Sequence, residues 1–186
     1  NPAFDLKSIR LEQDGASARV TANLDVVRMD ASLVLTYILY ADGSLTVKEH
    51  LNVNEDAKHK PMPTRFGMQW VMPEEYAQVC YYGRGPAENY IDRKESQHLG
   101  IFSQSVAEQY HAYIRPQESG NHSDVRYWQV LNAKGEGLEF KAHGPMECSS
   151  LNYFPSDLDD GPDKNAHQSH SGDLTPRSLT VTQVAQ

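Results

Sequence analysis

Apolar residues fall at every second position through long stretches of this chain. In "ASLVLTYILYADGSLTVKEHLNVN", Leu33, Leu35, Tyr37 and Leu39 lie on one face, and Leu45, Val47, Leu51 and Val53 resume the alternation after Ala41-Asp42-Gly43-Ser44. A period of two separates the faces of a strand and Asp-Gly marks a reversal, so this stretch predicts a β-hairpin. "RFGMQWVM" places Phe66, Met68, Trp70 and Met72 on one side of another strand. "DVRYWQVL" sets Val125, Tyr127, Gln129 and Leu131 against Asp124, Arg126, Trp128 and Val130, which predicts one continuous strand with unlike faces. "AKGEG", residues 133–137, then turns the chain into "LEFKAHG", where Leu138, Phe140 and Ala142 share a side, giving a second hairpin.

Helical signals are sparse. "SDLDDGPDKNAHQ" starts with Ser156 as an N-cap and acids in a first turn, but Gly161-Pro162 interrupts it before two turns are complete. The expected fold is therefore all-β, many strands in two stacked antiparallel sheets, forming one domain over residues 1–186. The N-terminal "NPAFDLKSIRLEQDG" begins directly in strand-like sequence, and "RSLTVTQVAQ" ends within an alternating run. Neither end reads as a domain boundary, so the expectation is a domain trimmed at both ends from a larger protein.

Charge narrows the function classes. The formal net charge is −8, with no cluster of Lys or Arg. Nucleic acid and anionic membrane surfaces both need concentrated positive charge, and neither is expected as a partner. No apolar run approaches the roughly 20 residues of a membrane span, and the N-terminal residues lack the basic-then-apolar-then-small order of a signal peptide, so a soluble chain, or a soluble piece of one, is expected. The compartment stays open between cytoplasm and periplasm. Cys80 and Cys148 are far apart in sequence, and two thiols in a chain of 186 residues are read as reduced cysteines rather than a disulfide framework.

Two segments interrupt the strand pattern with chemistry-bearing side chains. In "YYGRGPAENYIDRK", Gly83 and Gly85 free the backbone and Pro86 fixes it. Arg84, Glu88, Asn89, Asp92 and Arg93 supply groups that can bond a loop to itself. The stretch lacks the Lys and third glycine of a phosphate-binding loop, so it reads as a rigid polar loop leaving a strand. In "YIRPQESGNHSDVRYW", Glu118, Asn121, His122, Asp124 and Arg126 gather within nine positions, with Trp128 and Tyr127 beside them. Asp124 and Arg126 share a face of the expected strand, which favours an ion pair between them. Polar groups next to aromatic rings are also what sugar recognition uses. "NHS" at Asn121 matches a glycosylation sequon. His167 and His170 are three apart but lack a zincin-like Glu, so no metal site is expected there. Glycoside hydrolysis needs two carboxyls roughly 5 to 10 Å apart, one with a raised pKa. Glu88, Asp92, Glu118 and Asp124 are available, but no spacing selects two of them.

The order of "YYGRGPAENYIDRK", "YIRPQESGNHSDVRYW", "CSSLNYF", a late His and "GDL" resembles the C-terminal domain of the large β-galactosidases of glycoside hydrolase family two. The resemblance runs over residues 66–179. It implies a supersandwich fold like that of galactose mutarotases. It also implies that two catalytic glutamates sit on a TIM barrel elsewhere in the parent polypeptide, so no catalytic residue is expected here. The parent would hydrolyse terminal non-reducing β-D-galactosides with retention. This domain would give it a wall of the active-site pocket and contacts between domains or subunits. Its expected partners are then the barrel and other domains, the galactoside in the intact enzyme, and further copies in a homo-oligomer. No cofactor is expected in this chain, with Mg or Na left to the parent. Two segments that usually open and close such domains are absent from the sequence, including a Trp that stacks on the sugar. Other readings stay open on the residues alone. One is an aldose mutarotase or epimerase using His122 with Glu118 or Asp124, and the other a noncatalytic carbohydrate-binding module using Trp128 and the tyrosines.

Overall fold

The computed structural model describes residues 3–57, 65–113, 118–158 and 179–185. They fall into two compact units, residues 1–64 and 65–186. The first is a four-stranded antiparallel meander of β1 (Phe4–Asp14), β2 (Ser17–Val26), β3 (Ala31–Tyr40) and β4 (Leu45–Val53), paired in that order. The expected hairpin is β3–β4, with Leu33 opposite Leu51 and Tyr37 opposite Val47. Its turn closes because Asp42 Oδ1 accepts from the Ser44 amide at 2.9 Å while Gly43 takes φ 84°. The register aligns Leu11, Val20, Tyr37 and Val47 across all four strands, so one face of the sheet is apolar. Glu49 lies opposite Leu35 on that face, and desolvation raises its carboxyl pKa.

The second unit is a two-layer sandwich. Its strands are β5 (Gly67–Met72), β6 (Gln78–Gly85), β7 (His98–Ser105), β8 (His122–Val125), β9 (Tyr127–Leu131), β10 (Gly137–Phe140), β11 (Met146–Leu151) and β12 (Leu179–Ala185). One sheet has the order β10-β9-β6-β7 and the other β5-β12-β11-β8, with every pairing antiparallel. Val79, Tyr81, Trp128, Val130 and Phe140 from the first sheet pack with Met72, Val125, Met146 and Cys148 from the second. The Trp128 indole N–H crosses between the layers to the Ser150 hydroxyl at 2.8 Å. Both cysteines are free thiols, and burial pushes the Cys148 pKa up. The fold is all-β with antiparallel sheets and little helix, as the alternation implies.

Two local expectations are corrected. The stretch read as one strand through residues 124–131 is two strands in different sheets. Asp124 adopts φ 55°, and the Arg126 amide donates to the Tyr82 carbonyl at 2.7 Å, so the chain steps from one layer to the other. Val125 and Trp128 would lie on opposite faces of a continuous strand, yet both are wholly buried in the shared core. The helical turn α1 (Pro155–Leu158) begins at Pro155 rather than behind Ser156. Asp157 reaches back to accept from the Phe154 amide at 2.9 Å, and proline suits a first helical position because its missing N–H would have no partner there. Gly161-Pro162, His167 and His170 lie outside the described residues. Among those described, no helix is long and apolar enough to cross a membrane.

Candidate functional site

The polar loop and the step between layers form one network. It starts where β6 passes β8: a Cβ on Gly83 would come within 2.8 Å of Val125 Cγ2, so only glycine lets the two backbones approach this closely. The next residue, Arg84, turns its guanidinium along the loop. Its Nε donates to Asp124 Oδ2 at 2.5 Å, and its Nη2 to Glu95 Oε1 at 2.9 Å. Its Nη1 donates to the carbonyls of Lys94 and Gln97 at 3.2 and 2.9 Å. Lys94 Nζ completes the cluster on Asp124 Oδ1 at 3.2 Å. Partial burial pulls the Asp124 pKa up, but hydrogen bonds from Arg84 and Lys94 outweigh it and hold the carboxyl below the usual range.

Asn89 and Asn121 zip the loop to the second segment. The Asn89 amide donates to the Asn121 carbonyl at 2.7 Å, and Asn121 Nδ2 donates to the Asn89 carbonyl at 2.8 Å. The Asn89 side chain, fully buried, donates to the Arg84 carbonyl at 3.0 Å and accepts from the Ser123 amide at 3.0 Å. Glu88 Oε2 accepts from the Gly120 amide at 2.7 Å, while its Oε1 accepts from Arg93 at 2.7 Å and from the Tyr113 hydroxyl. The Arg93 guanidinium also lies over the Tyr90 ring, 4.9 Å from its centroid. Gly120 takes φ +71°, where a Cβ would press within 2.6 Å of the Gln109 carbonyl oxygen, so this corner also requires glycine.

His122 sits under the network, 1% exposed, packed against the rings of Tyr81 and Trp128 at centroid separations of 4.6 and 5.5 Å, while those two rings also touch each other at 4.6 Å. Its Nδ1 lies 3.0 Å from both the Arg84 carbonyl oxygen and the Tyr81 hydroxyl, so a proton on Nδ1 is donated to that carbonyl. Burial lowers its pKa to about 4.

The structure thus brings together Arg84, Glu88, Asn89, Arg93, Asn121, His122 and Asp124. It gives the others different roles. Glu118 pairs with Arg65, and Asp92 is exposed on the loop. Asp124 and Arg126 do not pair through their side chains, because the left-handed turn at Asp124 aims its carboxylate at Arg84 and Lys94; Arg126 Nη1 donates instead to the Asp124 carbonyl at 2.8 Å. Trp128 has no exposed surface, so its ring offers no face to a sugar. Asn121 is 4% exposed and bonded to the loop, which closes the sequon at this position to modification in the folded state. Lys94, Glu95 and Gln97 were not singled out by the sequence. Their only sequence signal is their place, Lys94 at the end of the polar stretch and Glu95 and Gln97 just after it.

The Asp124 carboxyl is shifted opposite to the direction a general acid needs, and His122 is neutral and enclosed. A concavity beside the network, lined by Arg65, Glu118, Ser119, Asn121, Ser149 and Tyr153 among others, encloses about 20 Å³. That is room for a water molecule rather than a hexose. Among the described residues no three His, Cys, Asp or Glu side chains gather into a metal-binding set.

The sequence family described as the β-galactosidase small chain matches residues 3–186. Curated relatives bear the name β-galactosidase. One from Priestia megaterium is 38% identical over 129 residues, covering 69% of this chain and 12% of the relative. One from Halalkalibacterium halodurans is 32% identical over 150 residues, covering 80% and 14%. One from Lactobacillus delbrueckii subsp. bulgaricus is 34% identical over 153 residues, covering 82% and 15%. The match spans 12–15% of the length of these relatives.

Proposed function

We propose, on the premise that this chain belongs to the β-galactosidase small-chain family, that it is an accessory part of an enzyme hydrolysing terminal non-reducing β-D-galactosides with retention. In this reading the two catalytic glutamates lie on a barrel outside the chain, and any Mg or Na requirement belongs to those other parts. The chain contributes a wall of the active-site pocket and the contacts that hold the wall in place.

One observation carries the reading. The groups best suited to chemistry in the two polar segments are occupied in fixing the backbone: Glu88 accepts from three donors, Asn89 bridges two segments, and Asp124 is held ionised by two cations. A retaining glycosidase needs one carboxyl kept protonated opposite a second, free one. The test is hydrolysis of a chromogenic β-galactoside by the 186-residue chain and by the complete enzyme at equal molarity. The complete enzyme should turn over while the chain stays at the buffer rate. Enzyme-like turnover by the chain alone would overturn the proposal.

A further inference from the structure

The outer face of the β6 sheet has the wrong chemistry for a surface that meets only water. A sandwich strand alternates core residues with polar outward ones, and β6 buries Val79 and Tyr81 as expected. Outward, however, the register sets Tyr82 between Ile101 of β7 and Tyr127 of β9, with Leu99 two pairs further along on the same face, opposite Arg84. Ile101 is 70% exposed, Leu99 44% and Tyr82 38%. The two tyrosine rings lie 6.4 Å apart by centroid, and the partly buried Cys80 continues the apolar strip. Charged and polar groups rim it at either end. On one side stands Arg84 with Glu95 and Asp124, and on the other Gln129 donating to Glu139 at 2.8 Å. An apolar, tyrosine-bearing centre inside a polar rim is the make-up of a protein interface.

We infer that this face, centred on Tyr82, Leu99, Ile101 and Tyr127, is where the unit docks against the rest of a β-galactosidase. The inference rests on the proposed function and supplies its contact surface. The occupant follows from length and chemistry. Relatives carry 85–88% of their polypeptide outside the matched region, so a large partner surface belongs to the same enzyme. A sugar is the poorer fit, because sugar sites combine aromatic rings with convergent polar groups in a concavity. This strip is flanked by leucine, isoleucine and a thiol on the face of a sheet.

Hydroxyl-radical footprinting read by mass spectrometry tests it, comparing the 186-residue chain with the complete β-galactosidase. Tyr82, Ile101 and Tyr127 should label strongly in the chain at any dilution and lose most of that labelling in the complete enzyme. Val71, also exposed at 57% but on the other sheet, is the internal comparison. Equal labelling of the face in both samples overturns the inference. So does labelling that rises as the chain is diluted, which would mean a second copy covers the face, or protection in the chain at every concentration, which would mean its own residues do. Galactosidase activity measured on the same samples separates the two claims. Protection without activity sinks the proposed function and leaves the docking face, whereas activity without protection sinks the docking face alone.

Discussion

His122 shows how one enclosed side chain makes stability depend on pH. Its folded pKa, about 4, lies below the ordinary 6.5, so the unfolded chain takes up the proton first as pH falls. Its share of stability is complete above pH 6.5 and is lost on descending towards 4, by about 3 kcal/mol in all. Asp124 has the same sign but acts lower, its contribution disappearing as pH falls below its ordinary 3.8. Urea midpoints measured between pH 7.5 and 4.5 should therefore fall, and His122→Phe should flatten most of that slope. A wild-type slope unchanged in the variant would assign the acid sensitivity to other groups. Glu88 makes a separate prediction. It is 8% exposed at the side chain and accepts from the Gly120 amide, Arg93 and Tyr113, so Glu88→Ala removes the acceptor of all three. The Gly120 amide and the half-buried Tyr113 hydroxyl are left without it, while Arg93, 44% exposed, turns to water. Denaturant titration should register a loss of about 3 kcal/mol.

At the scale of elements, β6 approaches β8 closely at Gly83. Gly83→Ala forces a methyl against Val125 and should cost roughly 1 to 3 kcal/mol. Gly144→Ala, whose added Cβ meets nothing within 4 Å, should stay within about 0.5 kcal/mol of the parent. Equal thermal shifts for the two variants would remove the packing explanation. The elements also mark what the sequence discloses. The β3–β4 hairpin is legible because apolar residues recur at every second position on both sides of an Asp-Gly turn, with Glu49 the break in β4, and β5 is legible for the same alternation. The step at residues 124–126 is not, because a left-handed aspartate leaves the hydrophobic spelling of a strand untouched. The partition of β8 and β9 between sheets depends on where Tyr82 and Cys148 stand in space, which no local pattern records. Within the site, the crowding of the two polar segments is visible in the sequence, but their pairing is not. That Glu88 meets Gly120, and Asn89 meets Asn121, across more than 30 residues is set by the sandwich.

For the whole molecule, a sequence family and a buried polar network point the same way. Membership ties the chain to β-galactosidases, and the network supplies rigidity where a catalytic centre would need free acids. A net charge of −8 suits neither nucleic acid nor anionic lipid, whereas the apolar sheet face bearing Tyr82 and Tyr127 has the character of a protein interface. The most direct measurement is kcat for a chromogenic β-galactoside in the complete enzyme carrying Glu88→Gln or Asp124→Asn, assayed well below each variant's melting temperature. The account predicts lower melting temperatures with kcat within about threefold of the parent. A loss on the order of a thousandfold in enzyme shown to be folded would place the chemistry inside this chain and contradict it.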